Sequence, residues 1–155
     1  MAMKKYAIEA TAIIGAPTNV VFDYINDMNH FGQWSPFAKL DQSLTAEVGA
    51  INSGVGASYS YKGKMIGSGE MTFTKIEANK LIEISMDFGA PNPSHADIVW
   101  SLVAEGALTR FTWAMVGERN LKNRIMAAVF NLNKVMTKHF ADGLNNVKAQ
   151  VEKTK

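Results

Sequence analysis

The chain has 155 residues, 47% of them hydrophobic and 19% charged, enough to bury one sizeable core and too few for a second domain of ordinary size. A formal net charge of +2, with Lys and Arg scattered along the chain, leaves no electrostatic footprint for nucleic acid. The absence of cysteine excludes disulfides, thiolate metal sites and cysteine nucleophiles, and fits a reducing, cytoplasmic setting.

The opening Met-Ala-Met-Lys-Lys and the apolar run behind it have the outline of a signal peptide, but Glu9 interrupts the run, and residues 4–14 read as a strand. No uninterrupted apolar stretch approaches the roughly 20 residues of a membrane-spanning helix, so stable membrane insertion is not expected. The strand ends at Gly15-Ala16-Pro17, where Pro17 suits a helix start and Thr18 offers a capping hydroxyl. A short helix is predicted over 19–26, with Val21, Phe22 and Ile25 on one side. Residues 27–32 read as a turn into a second helical piece that ends near Trp34-Ser35-Pro36, since the residue before proline is driven out of the helical region.

From 37 to 117 six strands are predicted, punctuated by Gly49, Gly54-Val55-Gly56, Lys62-Gly63-Lys64, Ala78-Asn79-Lys80 and Glu105-Gly106. Side chains alternate across a strand, so one face can be followed from segment to segment. That face carries Tyr59 and Tyr61; Met71 and Phe73; Ile82, Ile84, Met86 and Phe88; Ile98, Trp100 and Leu102; Phe111, Trp113 and Met115. The other carries Ser58, Ser60, Glu70, Thr72, Glu83, Asp87, Arg110 and Thr112. The pattern is that of an antiparallel sheet with one wet face and one dry, aromatic face.

The period then changes. Over 120–152, Leu121, Ile125, Val129, Leu132, Met136, Phe140, Leu144, Val147 and Val151 recur at helical spacing, which predicts one long amphipathic helix crossing the dry face over about 50 Å. Met126, Phe130 and Asn133 form a second line beside this stripe, and Gly143 marks a weak point where the helix can bend. Spacing alone favours an ordinary packed core for the aromatic stripe. The residue types favour a cavity: Tyr59, Tyr61, Trp100 and Trp113 bring polar tips that need partners. Met65, Met71, Met86, Met115, Met126 and Met136 would give it adaptable walls.

Ala16-Pro17, Trp34-Ser35-Pro36-Phe37, Gly54-Val55-Gly56-Ala57-Ser58-Tyr59, Tyr61-Lys62-Gly63-Lys64, Gly67-Ser68-Gly69-Glu70-Met71 and Phe111-Thr112-Trp113-Ala114-Met115, taken in order, resemble the polyketide cyclase/dehydrase-like branch of the START and birch-pollen-allergen (SRPBCC) superfamily. The resemblance spans nearly the whole chain. It implies an α+β helix-grip fold: a curved seven-stranded antiparallel sheet wrapped around the last helix, enclosing a cavity for lipids, sterols, polyketides or similar hydrophobes. Two departures stand out. Relatives often carry Trp-x-Gly-Asn where this chain has Tyr61-Lys62-Gly63-Lys64, and the apolar N-terminal anchor of some relatives is not seen.

Some members of that branch are cyclases and aromatases, whose chemistry needs a polar group aimed into the cavity. Arg110, Glu70, Glu83 and Asp87 have outward parity, and Arg119 and Arg124 fall near the start of the final helix, at the expected cavity mouth. No buried carboxyl suited to general acid work is predicted. His30 and His95 lie near possible entrances, His95 after the turn Asn92-Pro93-Ser94, with surface or capping roles favoured for both. His139 and Asp142 share a helical face, but two ligands make no metal site. Gly67-x-Gly69 continues to Thr72 where a dinucleotide fingerprint requires glycine, so its glycines are expected to serve a turn or bulge, and Ser35 lacks a G-x-S-x-G frame.

The expected ligand-binding set is Trp34, Tyr59, Tyr61, Met71, Phe73, Ile84, Met86, Phe88, Trp100, Phe111, Trp113, Met115, Met126, Phe130 and Asn133, with no cofactor and no metal. The function expected is binding of a hydrophobic small molecule between sheet and final helix. A cyclase- or dehydratase-type enzyme and a protein-interaction module of chaperone-partner type are the alternatives.

Overall fold

The computed structural model describes residues 3–89 and 93–153; Met1 and Ala2 of the N-terminus and Asn92 of the turn before the sixth strand lie outside them. The first strand, β1 (Lys4–Ile14), is followed by two short helices, α1 (Thr18–Ile25) and α2 (Met28–Trp34). Then come β2 (Thr45–Val48), β3 (Ser58–Gly63), β4 (Gly67–Glu77), β5 (Leu81–Phe88), β6 (Ser94–Glu105) and β7 (Leu108–Arg119). Helices α3 (Leu121–Phe130) and α4 (Leu132–Glu152) close the chain. All seven strands form one antiparallel sheet in the order β1-β7-β6-β5-β4-β3-β2, the helix-grip arrangement.

The sheet is a meander from β2 to β7, to whose far edge β1 adds by pairing with β7 from Lys4↔Arg119 to Ile14↔Thr109. The predicted dry face is the inner one: Tyr59, Met71, Phe73, Ile82, Ile84, Met86, Ile98, Trp100, Leu102, Phe111, Trp113 and Met115 are buried, whereas Glu70, Asp87 and Arg110 face solvent. A register shift between Phe73 and Lys75 in β4 displaces Thr74 without disturbing the inner set on either side.

Three expectations about the helices are corrected. Helix α1 begins at Thr18 with Pro17 as its N-cap, so the Thr18 hydroxyl makes no cap; the Pro17 carbonyl instead accepts from the Val20 and Val21 amides. Helix α2 starts directly at Met28 because Asp27 caps it, accepting from the Asn29 amide at 2.9 Å. The long terminal helix is two helices. Asn131 adopts the left-handed conformation (φ 53°, ψ 46°), and its amide donates to the Ala127 and Ala128 carbonyls, ending α3. The continuous apolar spacing conceals this break, since one left-handed residue reorients the helix without altering which residues are apolar.

The break leaves α4 with 21 residues, about 32 Å long, and only its second half is buried, through Phe140, Gly143, Leu144, Val147 and Val151. Gly143 lies inside this uninterrupted span, and its role is close approach: a Cβ there would stand 3.0 Å from Pro36 and 3.1 Å from the Trp113 ring. Asn146 fixes the same stretch to α2 by donating to the Trp34 carbonyl at 3.1 Å. Gly143→Leu should therefore lower stability by about 2 kcal/mol through overpacking, read as a lower urea midpoint with an unchanged m-value. An unaltered midpoint would show that the close contact does not hold the helix down.

Candidate functional site

The inner face holds two environments. At one end Trp34, carried by α2, is fully buried among Trp100, Trp113 and Phe111, its ring centroid 4.9, 5.6 and 6.3 Å from theirs. Phe73 packs edge-on against Trp100 at 5.7 Å, and Phe140 stacks on Trp113 at 4.4 Å. This end is solid. The Nε1 atoms of Trp34, Trp100 and Trp113 are buried without an acceptor among the described residues, a cost that aromatic packing has to offset.

At the other end the first turns of α4 stand away from the sheet and leave a cavity of about 320 Å³. Its floor is Tyr59 and Tyr61 of β3, Met71 of β4, Met86 and Phe88 of β5, Ile98 of β6 and Trp113 and Met115 of β7. Its roof is Val135, Met136, His139 and Phe140 of α4, and Phe31, Ser35, Phe37, Leu40, Leu44 and Ile66 complete the wall.

From the expected set, Tyr59, Tyr61, Met71, Met86, Phe88, Trp113 and Met115 come together in this cavity. Trp34, Phe73, Ile84, Trp100 and Phe111 do not line it; Trp34 packs against Trp100 and Phe111 instead. Met126 and Phe130 are 40% and 63% exposed on α3, because the turn at Asn131 carries that helix off the dry face, and Ile125 and Val129 are left in solvent with them. Asn133 accepts a hydrogen bond from Arg119 at 2.7 Å outside the cavity. Met65 is exposed at the tip of the β3–β4 hairpin.

The polar groups in the cavity wall are few. Burial pushes the phenols of Tyr59 and Tyr61 above their ordinary pKa, and the neighbouring Tyr59 raises Tyr61 further, so both stay neutral through the physiological range. Space for Tyr61 comes from Gly69 on the paired strand, where a Cβ would lie 2.6 Å from the Tyr61 hydroxyl and 2.7 Å from Met86 Cε. That contact is the use of Gly69, while Gly67, at φ 79°, serves the expected turn at the end of the β3–β4 hairpin. The Ser35 hydroxyl accepts from the Phe37 amide at 3.2 Å. His139 is half-buried, its ring edge-on to Phe37 at 5.7 Å.

Neither other histidine enters the cavity. His30 stacks on Tyr24 at 4.4 Å, with Nδ1 2.8 Å from the Tyr24 carbonyl oxygen. His95 lies between Asp87 and Asp97 on the outer face at 2.9 and 3.0 Å, and hydrogen bonding to Asp87 and then Asp97 raises its pKa.

The mouth is organised by a residue that periodicity could not reveal. Asp41 is buried between Leu40 and Leu44, in a loop of turns where the sequence suggests the start of a strand. Its carboxylate accepts from the Ser43 hydroxyl and amide at 2.6 and 3.0 Å, and from the Met65 and Ile66 amides at 2.8 and 3.1 Å. One side chain thus ties the loop to the β3–β4 hairpin and sets Leu40, Leu44 and Ile66 in the cavity wall. The Asp-x-Ser spacing is the sequence signal that could have disclosed it.

These hydrogen bonds, foremost that from Ser43, hold the Asp41 carboxyl at about 2, below its ordinary 3.8. The unfolded chain therefore binds the proton more readily, so the stabilisation is complete above about pH 4 and is lost as pH falls towards about 2. Asp41→Asn should reduce the acid-side decline of the melting temperature in that window. A decline identical to that of the wild type would show that Asp41 does not carry it.

The same architecture recurs in solved structures of low sequence identity. Truncated norcoclaurine synthase from Thalictrum flavum matches with a TM-score of 0.75 and 10% identity over 97% of this chain and 96% of that one. SA2116 from Staphylococcus aureus, a protein of unknown function, matches at 0.71 and 10% identity over 98% and 96%. DynU16, from the dynemicin biosynthetic locus, matches at 0.67 and 13% identity over 96% of this chain and 48% of that one. These likenesses show the helix-grip fold. The family described as polyketide cyclase/dehydrase and lipid transport matches residues 5–152, and the chain belongs to it. No curated protein matches the sequence. Among the described residues no helix is long and apolar enough to cross a membrane.

Proposed function

We propose that the whole chain acts as one domain that binds a hydrophobic small molecule, of lipid, sterol or polyketide-like class, in the cavity beneath α4. The observation that carries this reading is the wall itself: apolar side chains surround 320 Å³ of space, with the Tyr59 and Tyr61 hydroxyls as neutral anchors. A volume near the lower end of the roughly 300–1,000 Å³ usual for small-molecule sites suits a compact ligand or part of a longer one. Met71, Met86, Met115 and Met136 let the wall adapt to its shape.

Organic extraction of the purified protein followed by mass spectrometry should release a stoichiometric apolar compound. The stripped protein should bind a neutral apolar dye such as Nile red, and Met86→Trp, which fills the floor, should weaken the dye by about tenfold or more. Full dye affinity in Met86→Trp, with native circular dichroism, would place binding elsewhere.

A second reading, an enzyme of cyclase or dehydratase type, is favoured by one observation. His139, one of the three histidines that the sequence offers for acid/base work, brings an ionisable ring to the cavity roof. With Tyr59 and Tyr61 across from it as neutral donors, His139 would take or return a proton at a ligand carbon or oxygen. Turnover of a candidate polyketide-like substrate should then fall about 100-fold or more in His139→Ala while substrate binding persists. Equal turnover in the variant would leave binding as the function.

A further inference from the structure

A second pocket, of about 300 Å³, lies where the ends of β1 and β7 meet α3 and the start of α4, and its chemistry is opposite to that of the apolar cavity. Lys4, Arg119 and Arg124 bring positive charge to it, and among the described residues no acidic side chain lines it. Glu118 pairs in register with Lys5, but strand alternation puts both on the outer face, whereas Lys4, Tyr6 and Arg119 share the inner one.

Arg119 is held in place by neutral groups. The Arg119 guanidinium lies 3.9 Å above the centre of the Tyr6 ring and donates from Nη1 to Asn133 Oδ1. The Nε of Arg124 is buried and finds no acceptor among the described residues. Among those residues neither arginine nor either lysine forms an ion pair. Burial raises the Tyr6 phenol despite the nearby Arg119 charge, which keeps its hydroxyl as a further donor. A cluster of positive charge with an orphaned buried donor is stabilised by one kind of occupant, an anion with several acceptor oxygens.

We propose that this pocket binds an oxyanion, a carboxylate or phosphate, with Arg119 and Arg124 as its principal donors. The anion can be free, or it can be the head of an amphiphile whose apolar part lies in the main cavity; this second source rests on the hydrophobic-ligand reading above. The two pockets share β7 and α4 but no lining residue. The inner face of β7 runs from Met115 in the cavity wall to Arg119 in the second pocket, about 13 Å along the strand. The first turns of α4 likewise place Asn133 in one pocket and Val135 and Met136 in the other.

The test uses the full chain, stripped of ligand, and calorimetric titration with three probes: inorganic phosphate, dodecanol, and dodecyl phosphate below its micellar concentration. With the head group in the second pocket, dodecyl phosphate should bind about tenfold or more tightly than dodecanol. Arg124→Gln and Arg119→Gln should each erase most of that difference. Lys80→Gln, which removes a charge at the β4–β5 turn, should preserve it. If an arginine variant loses the native circular dichroism signal, Lys4→Gln at the exposed strand end provides the same readout.

Inorganic phosphate that binds in an Arg124-dependent way, with no preference for dodecyl phosphate over dodecanol, supports the free anion and overturns the amphiphile. Phosphate binding without any dodecanol binding upholds the oxyanion site while the hydrophobic-ligand reading fails. No phosphate binding, together with equal affinities for the two dodecyl compounds, overturns the oxyanion proposal.

Discussion

Everything inside this molecule depends on where α4 touches the sheet. Gly143 brings the helix backbone against Pro36 and Trp113, and from Phe140 onward the helix is sunk into the inner face. Before Phe140 it is lifted clear. A close-packed interior tolerates little empty volume, so a cavity persists only where the covering element is held off by something rigid. Here the rigid element is the aromatic block of Trp34, Trp100, Trp113 and Phe140, on which α4 rests as it rises toward Asn131. Core and cavity are two parts of one contact.

This explains how much could be read in the sequence. Alternation assigns a residue to a face, and a sheet with one dry face makes that assignment plain, so the strands and the inward set from Tyr59 to Met115 were legible. Alternation says nothing of depth along a strand. Trp100 and Trp113 share a face and are direct partners across β6 and β7, yet only Trp113 borders the cavity, because Trp34 arrives from a helix distant in the chain. Packed core and apolar space therefore lie at opposite ends of the same stripe.

The losses beyond the sheet have a local origin. Helical spacing runs unbroken through Asn131, whose left-handed backbone sends Ile125, Val129 and Phe130 into solvent. A period counts residues and cannot see a single reversed dihedral. At the mouth, Leu40, Leu44 and Ile66 belong to no periodic segment; a carboxylate accepting from backbone amides gathers them. Family resemblance carried the expectation of a pocket, and the sequence named His139, Arg119 and Arg124 without fixing which of them face the apolar space.

The pairing of β1 with β7 bears on how the chain reaches this state. Lys4 finds its partner at Arg119, and the apolar side of β1, with Ile8 and Ile14, is covered only when β7 and α4 are in place. Neighbouring hairpins from β3 to β7 can form early and locally, but the pairing of β1 must wait until residues 109–119 are made. During synthesis the first strand is therefore an apolar edge with no neighbour, open to association with other chains until its own last strand emerges from the ribosome.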